Sequence, residues 1–190
     1  DGEAPAQSSS EAQSSASFSL QLQTADLVPC LRQLCTAFTP ADGKRVKIFF
    51  MAFVEKLPIT FDRERIEQAV SILLNNSVRF SPSNSKIKVF VDAHSGKAVI
   101  RISDTGIGIP DEVKEHVFDA YMGDSEVNLN LSLVKDIVEA HHGTVEVSDN
   151  PGGGTVFVIG LPAESKPVDD VIEEAILMDD EEENNEENTL

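Results

Sequence analysis

The segment RISDTGIGIPDE, residues 101–112, places the end of a β-strand directly before two closely spaced glycines and a proline. Asp104 ends the strand, and Gly106 and Gly108 follow it in DxGxG spacing. A carboxylate at this position can accept a hydrogen bond from a buried donor, and glycine lets the backbone approach a flat ligand closely. The same spacing also suits a turn that only needs positive φ. The segment therefore indicates either a ligand site or a tight turn.

The residues on both sides of this segment switch between the strand period and the helix period. Alternating apolar side chains predict strands over 45–53, 86–93, 97–103, 143–148 and 154–162. Helical spacing predicts helices over 26–38, 62–79 and 131–142, the last with Gly143 at its C-cap, and a short helix beginning at Pro110. The turns HSG and DNPGGG predict antiparallel hairpins. These elements predict a two-layer α/β (α+β) sandwich, a mixed sheet packed against helices on one face.

Length and composition are those of one globular domain. The chain has 190 residues, of which 41% are hydrophobic, and it contains no apolar run of the roughly 18–20 residues that a membrane span needs. It begins at Asp1 with no signal peptide, so we expect a fragment of a longer, cytoplasmic protein that can be membrane-anchored elsewhere. Cys30 and Cys35 fit no common metal or redox spacing, and we expect partly buried thiols.

Most of the net charge lies at the C-terminal end. Residues 164–190 hold twelve acidic side chains and Lys166, a net charge of −11, which leaves −7 of the total −18 for the rest. No basic stripe could neutralise several phosphates, so we expect no nucleic-acid partner. Residues 1–17 read as a disordered linker, 18–163 as the domain, and 164–190 as an acidic tail. Helical spacing within the tail predicts a short amphipathic helix before disorder, on Val168, Val171, Ile172, Ala175 and Ile176.

The helix over 62–79 carries further candidate site residues. Its core face is predicted to hold Ile66, Ala69, Val70, Leu73, Leu74 and Ser77. Asn76 and Arg79 lie on the opposite face, where either alone would be an ordinary surface residue. Ile72 lies there too, and an apolar side chain at that position indicates that a lid, a ligand or a partner covers this face. A last glycine run, Gly152–Gly154 before Thr155, would by itself be a hairpin loop.

Four motifs in this order resemble one family. They are RIEQAVSILLNNSVRFSP, ISDTGIGIPDEVKEHVFDAY, LSLVKDIVEAHHGTVEV and GGGTVFVIGLP. Together they resemble the catalytic and ATP-binding (HATPase) domain of bacterial sensor histidine kinases, in the GHKL superfamily shared with gyrase and mismatch-repair ATPases. The resemblance covers residues 18–162 and implies a sandwich that binds nucleotide between its helices and its sheet.

The resemblance also assigns roles to individual positions. It implies that Asn76 binds magnesium through the nucleotide, that Arg79 meets phosphate and that Asp104 reads the adenine amino group. It places Phe118 directly before a mobile lid. The remaining matches are to the family's glycine motifs, Gly106 and Gly108 in the first and Gly152, Gly154 and Thr155 in the last.

Four positions depart from the family pattern, all on the phosphate side. Ile72 replaces a polar residue, and Glu126, Asn128 and Asn130 stand where the second glycine motif has glycines, in a lid that is short. Asparagine tolerates the left-handed region, so the two asparagines are expected to preserve a bend at a cost of about 1 kcal/mol each. A Glu126 carboxylate about 4 Å from a phosphate oxygen would repel it by roughly 4 kcal/mol as an upper bound.

The resemblance therefore implies an ATP-binding domain that uses Mg²⁺ and supplies the phosphoryl group of ATP to a histidine on a separate dimerisation domain. The departures imply that its ATP binding is weakened. The alternative is a pseudokinase or docking module that does not turn over ATP; a serine kinase of the anti-sigma type fits the motifs less well. The implied partners are its own phosphoacceptor domain and a response regulator or receiver domain, with this fragment monomeric and the full-length protein a homodimer. No phosphoacceptor context surrounds any of His94, His116, His141 and His142, so we do not expect the chain alone to autophosphorylate.

Overall fold

The computed structural model describes residues 19–40, 43–119 and 130–163. Within them the strands are β1 (Gln23–Asp26), β2 (Lys47–Ala52), β3 (Pro58–Phe61), β4 (Lys86–His94), β5 (Lys97–Ser103), β6 (Thr144–Asp149) and β7 (Thr155–Pro162). The helices are α1 (Leu27–Ala37), α2 (Arg63–Phe80), α3 (Asp111–Lys114) and α4 (Leu131–Ala140). The predicted linker over 1–17 and acidic tail over 164–190 lie outside the described residues, so their disorder stays a prediction.

Five of the strands form one mixed sheet in the order β2-β4-β5-β7-β6. β2 runs parallel to β4, and the other neighbours are antiparallel. The β4–β5 hairpin turns through Ser95 and Gly96, both with positive φ (50° and 70°), as a two-residue hairpin loop requires. Both predicted hairpins and the α/β sandwich are confirmed.

The core lies between one face of this sheet and the helices. Ile87, Ile100 and Ile159 are fully buried on the sheet side, and α2 packs against α4 on the helix side. Every residue predicted for the core face of α2 is buried. Cys30 and Cys35 are free and buried in the same core, where burial raises the pKa of the Cys35 thiol to about 11.

A second, two-stranded sheet of β1 and β3 was not predicted from the sequence. Each strand has four residues, too few to show a period. Asp26 explains why they associate with α1, because its Oδ1 accepts hydrogen bonds from the N–H of Val28 (3.1 Å) and of Leu57 (3.0 Å). One carboxylate thus caps the helix and holds the segment that leads into β3.

Most predicted helix ends were wrong by one or two residues, including those of α2 and α4. Asp62 is the N-cap of α2, accepting a hydrogen bond from the Arg65 N–H (3.1 Å), and not its first residue. α4 ends at Ala140, and the left-handed residue after it is His142 (φ 57°), not Gly143. A Cβ at Gly143 would lie 2.6 Å from the carbonyl oxygen of Gly160, so this glycine allows close packing against β7.

Candidate nucleotide site

A cavity of about 240 Å³ opens between the C-terminal end of α2, the loop after β5, the start of α4 and β7. Four residues singled out from the sequence line it: Asn76, Asp104, Gly108 and Thr155. The other lining residues are mostly apolar: Phe80, Ile107, Ile109, Pro110, Val113, Leu131 and Phe157. An apolar cavity with a few converging polar groups is the usual form of a small-molecule site.

Asp104 is the anionic group of this cavity, and it is only 3% exposed. Its Oδ1 accepts hydrogen bonds from the N–H of Gly106 (2.9 Å) and the N–H of Thr155 (3.1 Å). Both bonds fall on the same oxygen, so among the described residues Oδ2 keeps its capacity to accept a bond. A buried carboxylate held in this way offers a ligand a fixed acceptor.

The first and last glycine motifs are joined at Asp104. Besides the carboxylate bond, the N–H of Asp104 donates to the carbonyl of Thr155 (3.0 Å). The amide Nδ2 of Asn150 donates to the carbonyl of Asp104 (2.6 Å). Asn150 was missed in the sequence, where its place directly before the turn PGGG was the available signal.

Gly106 and Gly154 are needed for close packing within the protein, which the sequence did not indicate. A Cβ at Gly106 would lie 2.6 Å from the carbonyl oxygen of Phe80, and one at Gly154 would overlap the carbonyl oxygen of Asp104. These glycines therefore let the loops pack on backbone, and the role expected of Gly106 at a flat ligand stays a prediction. Gly108 lines the cavity and has φ 76°, whereas Gly152 has open space around it and is not among the lining residues.

The three candidate residues on α2 lie in different surroundings. Asn76 is buried and lines the cavity, so the view of it as an ordinary surface residue was wrong. Arg79 is exposed, with its guanidinium 5.7 Å from the ring centroid of Phe80, and does not line the cavity. Ile72 is half-buried and packs against the core, so part of the cover that it was expected to need comes from the fold itself.

The second glycine motif falls only partly within the described residues, since Glu126 and Asn128 lie outside them. Asn130 has φ 62° and ψ 22°, the left-handed conformation expected of it, at the N-cap of α4. Its side chain makes no cap hydrogen bond. Phe118 meets Phe157, a lining residue of the cavity, edge-on, with ring centroids 6.4 Å apart.

The wall formed by Pro110 and Val113 is tied to the sheet by one lysine. Nζ of Lys114 bonds the carboxylates of Asp111 and Asp149, each at 2.6 Å, and so joins α3 to the end of β6. These two hydrogen bonds raise the pKa of Lys114 above its ordinary value. The Asp111 pair is local, three residues apart in the sequence, whereas the Asp149 pair joins distant segments.

Within the described residues, no helix has the length and apolarity to cross a bilayer. The same residues contain no group of three or more His, Cys, Asp or Glu side chains arranged to bind a metal ion. A divalent ion at this site would therefore take most of its ligands from groups other than these side chains.

Residues 61–165 match the family model of histidine kinase-, DNA gyrase B-, and HSP90-like ATPases, and the sandwich is the fold of the histidine kinase ATPase domain. The chain belongs to this family. It is 34% identical over 114 residues to the circadian input-output histidine kinase CikA of Synechocystis sp., a match that spans 56% of this chain but only 15% of that protein.

Solved structures have the same fold. Full-length ShkA in complex with AMPPNP matches with a TM-score of 0.69 at 24% identity, over 80% of this chain and 34% of that one. Histidine kinase ThkA in complex with the response regulator protein TrrA matches with a TM-score of 0.65 at 25% identity, over 75% of this chain and 42% of that one.

Proposed function

We propose that the cavity binds the adenine end of ATP and that the domain supplies the γ-phosphoryl group to a histidine on a separate dimerisation domain. The observation that carries the proposal is Asp104, whose Oδ2 can accept a hydrogen bond inside an apolar cavity. Adenine has the matching features, a flat apolar ring system with an exocyclic amino donor. The AMPPNP complex of the structural neighbour ShkA supports the same ligand class.

The size of the cavity limits how much of the nucleotide it can enclose. Small-molecule pockets usually measure about 300–1,000 Å³, and this one measures about 240 Å³. It suits a base better than a whole nucleotide. The phosphates would extend from it toward the N-terminus of α4, whose first residue, Leu131, lines the cavity.

Asn76 fits a magnesium ion only in part. Its amide oxygen is a hard ligand of the kind that Mg²⁺ accepts, and it lines the cavity. The described residues offer no carboxylate cluster beside it, so phosphate oxygens and water would complete the coordination. A bound ion would supply charge neutralisation of the phosphates.

The phosphate side of the site is degenerate, and we infer that ATP binding is weak. Asn130 keeps the left-handed bend but adds a side chain where the motif has bare backbone. Glu126 adds a negative charge to the same motif. These features favour the second candidate function, a pseudokinase or docking module that does not turn over ATP.

The proposed partners follow from the histidine kinase family. They are the protein's own phosphoacceptor domain and a response regulator or receiver domain, in the cytoplasm, in a homodimeric full-length protein. The complex of ThkA with TrrA supports a response regulator as partner.

Titration calorimetry of adenosine, ADP and Mg-ATP tests both the adenine site and the weak binding of the phosphates. We expect similar weak affinities for all three, because added phosphates meet repulsion where backbone donors would be needed. Restoring glycine at Glu126, Asn128 and Asn130 should strengthen ATP binding roughly thirty- to 140-fold, since 2–3 kcal/mol of lost affinity corresponds to that factor. It should leave adenosine binding nearly unchanged. Micromolar ATP affinity in the original chain would overturn the degenerate site, and no adenosine binding in either protein would overturn the adenine site.

A further inference from the structure

The face of the five-stranded sheet that points away from the helices has an exposed apolar band at the β2 edge. Phe49, Met51 and Phe53 are 42%, 44% and 66% exposed. The ring of Phe53 stacks on Phe90 of the neighbouring strand, with centroids 5.9 Å apart and planes 14° from parallel. Strand register places Met51 beside Phe90, so the band is continuous across β2 and β4. An exposed apolar patch of this kind usually marks an interaction surface.

The same face is basic although the chain is strongly acidic. Strand alternation places five cationic side chains on it, Lys47, Lys86, Lys88, Lys97 and Arg101, against the two anionic side chains of Asp92 and Glu146. The net charge of this face is therefore +3 in a chain of −18. Nζ of Lys86 lies 5.7 Å from the ring centroid of Phe49. Lys86, Lys88, Phe90 and Arg101 also line a depression of about 550 Å³; Asp149 lines it too, with its carboxylate already paired with Lys114.

The occupant of this face should be apolar on one side and strongly anionic on the other. Residues 164–190, outside the described part, have this composition. Val168, Val171, Ile172, Ala175 and Ile176 recur at helical spacing, and acidic residues lie between and after them to give a net charge of −11. Apolar side chains would cover the band while carboxylates meet the lysines and Arg101.

The chain leaves the sheet at the right place to reach this face. β7 ends at Pro162, which pairs with Lys97, and the N–H of Ala163 donates to the carbonyl of Gly96 (3.0 Å). β7 and β2 are three strand spacings apart, about 14 Å. Residues 164–168 can span about 16 Å when extended. A tethered segment also has a high effective concentration at a surface within its reach.

We propose that residues 164–190 dock on the open face of the sheet of the same molecule, with the amphipathic segment over Phe49, Met51 and Phe53 and the acidic residues at the basic side chains. The docked tail shields this face from other proteins. Because its ionic contacts are at the surface, rising salt weakens docking and exposes the apolar band.

Met51 is a native reporter of this contact, because methionine in the band is oxidised by peroxide only when reagent reaches it. The experiment measures the rate of Met51 oxidation in the full chain by peptide mass spectrometry. Oxidation should be several-fold faster in the variant Ile172→Asp/Ile176→Asp than in the original chain, and faster at high than at low salt. Equal rates in the original chain and the tail variant would overturn the proposal.

The ionic contacts of the tail are tested by replacing one arginine on the open face and, as a control, one arginine away from it. Arg101→Glu, on the open face, should raise the oxidation rate of Met51, whereas Arg65→Glu, on helix α2, should leave it unchanged. Equal effects of the two substitutions would contradict the ionic contacts. Protection of Met51 should not depend on protein concentration. Protection that grows with concentration would mean that a second copy covers the face, which would overturn docking within one molecule.

Discussion

The N–H of Thr155 donates a 3.1 Å hydrogen bond to Oδ1 of Asp104, across 51 residues of chain. Because Gly106 donates to the same oxygen, the carboxylate is held at one oxygen by the protein, and its other oxygen can serve a ligand. The side chain that fixes the loop after β5 is thus also the one proposed to recognise adenine.

Replacing Asp104 with Asn should remove adenosine and ADP binding with little change in Tm. An asparagine can keep its oxygen on the N–H groups of Gly106 and Thr155, but it presents an NH₂ donor where the ligand needs an acceptor. Hydrogen bonds to charged groups contribute about 1.5–3 kcal/mol, so affinity should fall at least tenfold by calorimetry. Asp136→Asn, at an exposed carboxylate on α4 that does not line the cavity, is the control. Unchanged affinity in Asp104→Asn would refute the assignment.

His141→Phe should destabilise the domain by about 1–3 kcal/mol. Nε2 of His141 accepts a hydrogen bond from the backbone N–H of Asp62 (2.9 Å). It can accept because the ring proton is on Nδ1, which donates to the carbonyl of Ile137 (2.7 Å). A phenyl ring leaves that buried N–H without an acceptor. Urea unfolding measures the loss, and His94→Phe, at an exposed position, should be nearly neutral. Equal stability of the two variants would show that the Asp62 contact contributes nothing.

Asp62→Asn should reduce the loss of stability in acid. Burial raises the pKa of the Asp62 carboxyl, but hydrogen bonds from the N–H of Gln21 and of Arg65 oppose this, and the pKa lies below its ordinary value. A lowered carboxyl pKa stabilises the fold above the unfolded pKa of about 3.9, and that contribution is lost as pH falls through the folded-state pKa. Denaturant titrations below about pH 4 should therefore show a shallower decline in Asp62→Asn. A decline as steep as in the original chain would contradict this linkage.

Lys44→Met should weaken the C-terminal end of α2 by about 1–2 kcal/mol, through lost charge at the helix end and lost hydrogen bonds. Nζ of Lys44 donates to the carbonyls of Val78 (3.3 Å), Arg79 (2.5 Å) and Ser81 (3.2 Å). Amide hydrogen exchange of residues 76–81 should accelerate in this variant. Lys56→Met, at an exposed lysine outside the helix, should leave exchange there unchanged. Faster exchange of residues 76–81 in both variants would mean that the loss of a lysine charge, and not the loss of the Lys44 contacts, causes the change.

The amino-acid sequence alone determined the family, the sandwich and the position of Asp104. These depend on local signals, since strand alternation, helical spacing and the DxGxG spacing are each visible within a few residues. The core face of α2 and both hairpins were predicted for the same reason.

Only the tertiary structure decided what surrounds those residues. Phe80 and Phe157 share one cavity although 76 residues separate them, and the Cβ that Gly106 lacks would meet the backbone of α2. The pairing of β1 with β3, the burial of Asn76 and the basic open face of the sheet likewise arise from contacts between distant segments. A sequence period shows which side of a strand or helix is apolar, but not which part of the chain will pack against it, because that choice is made by the folded backbone.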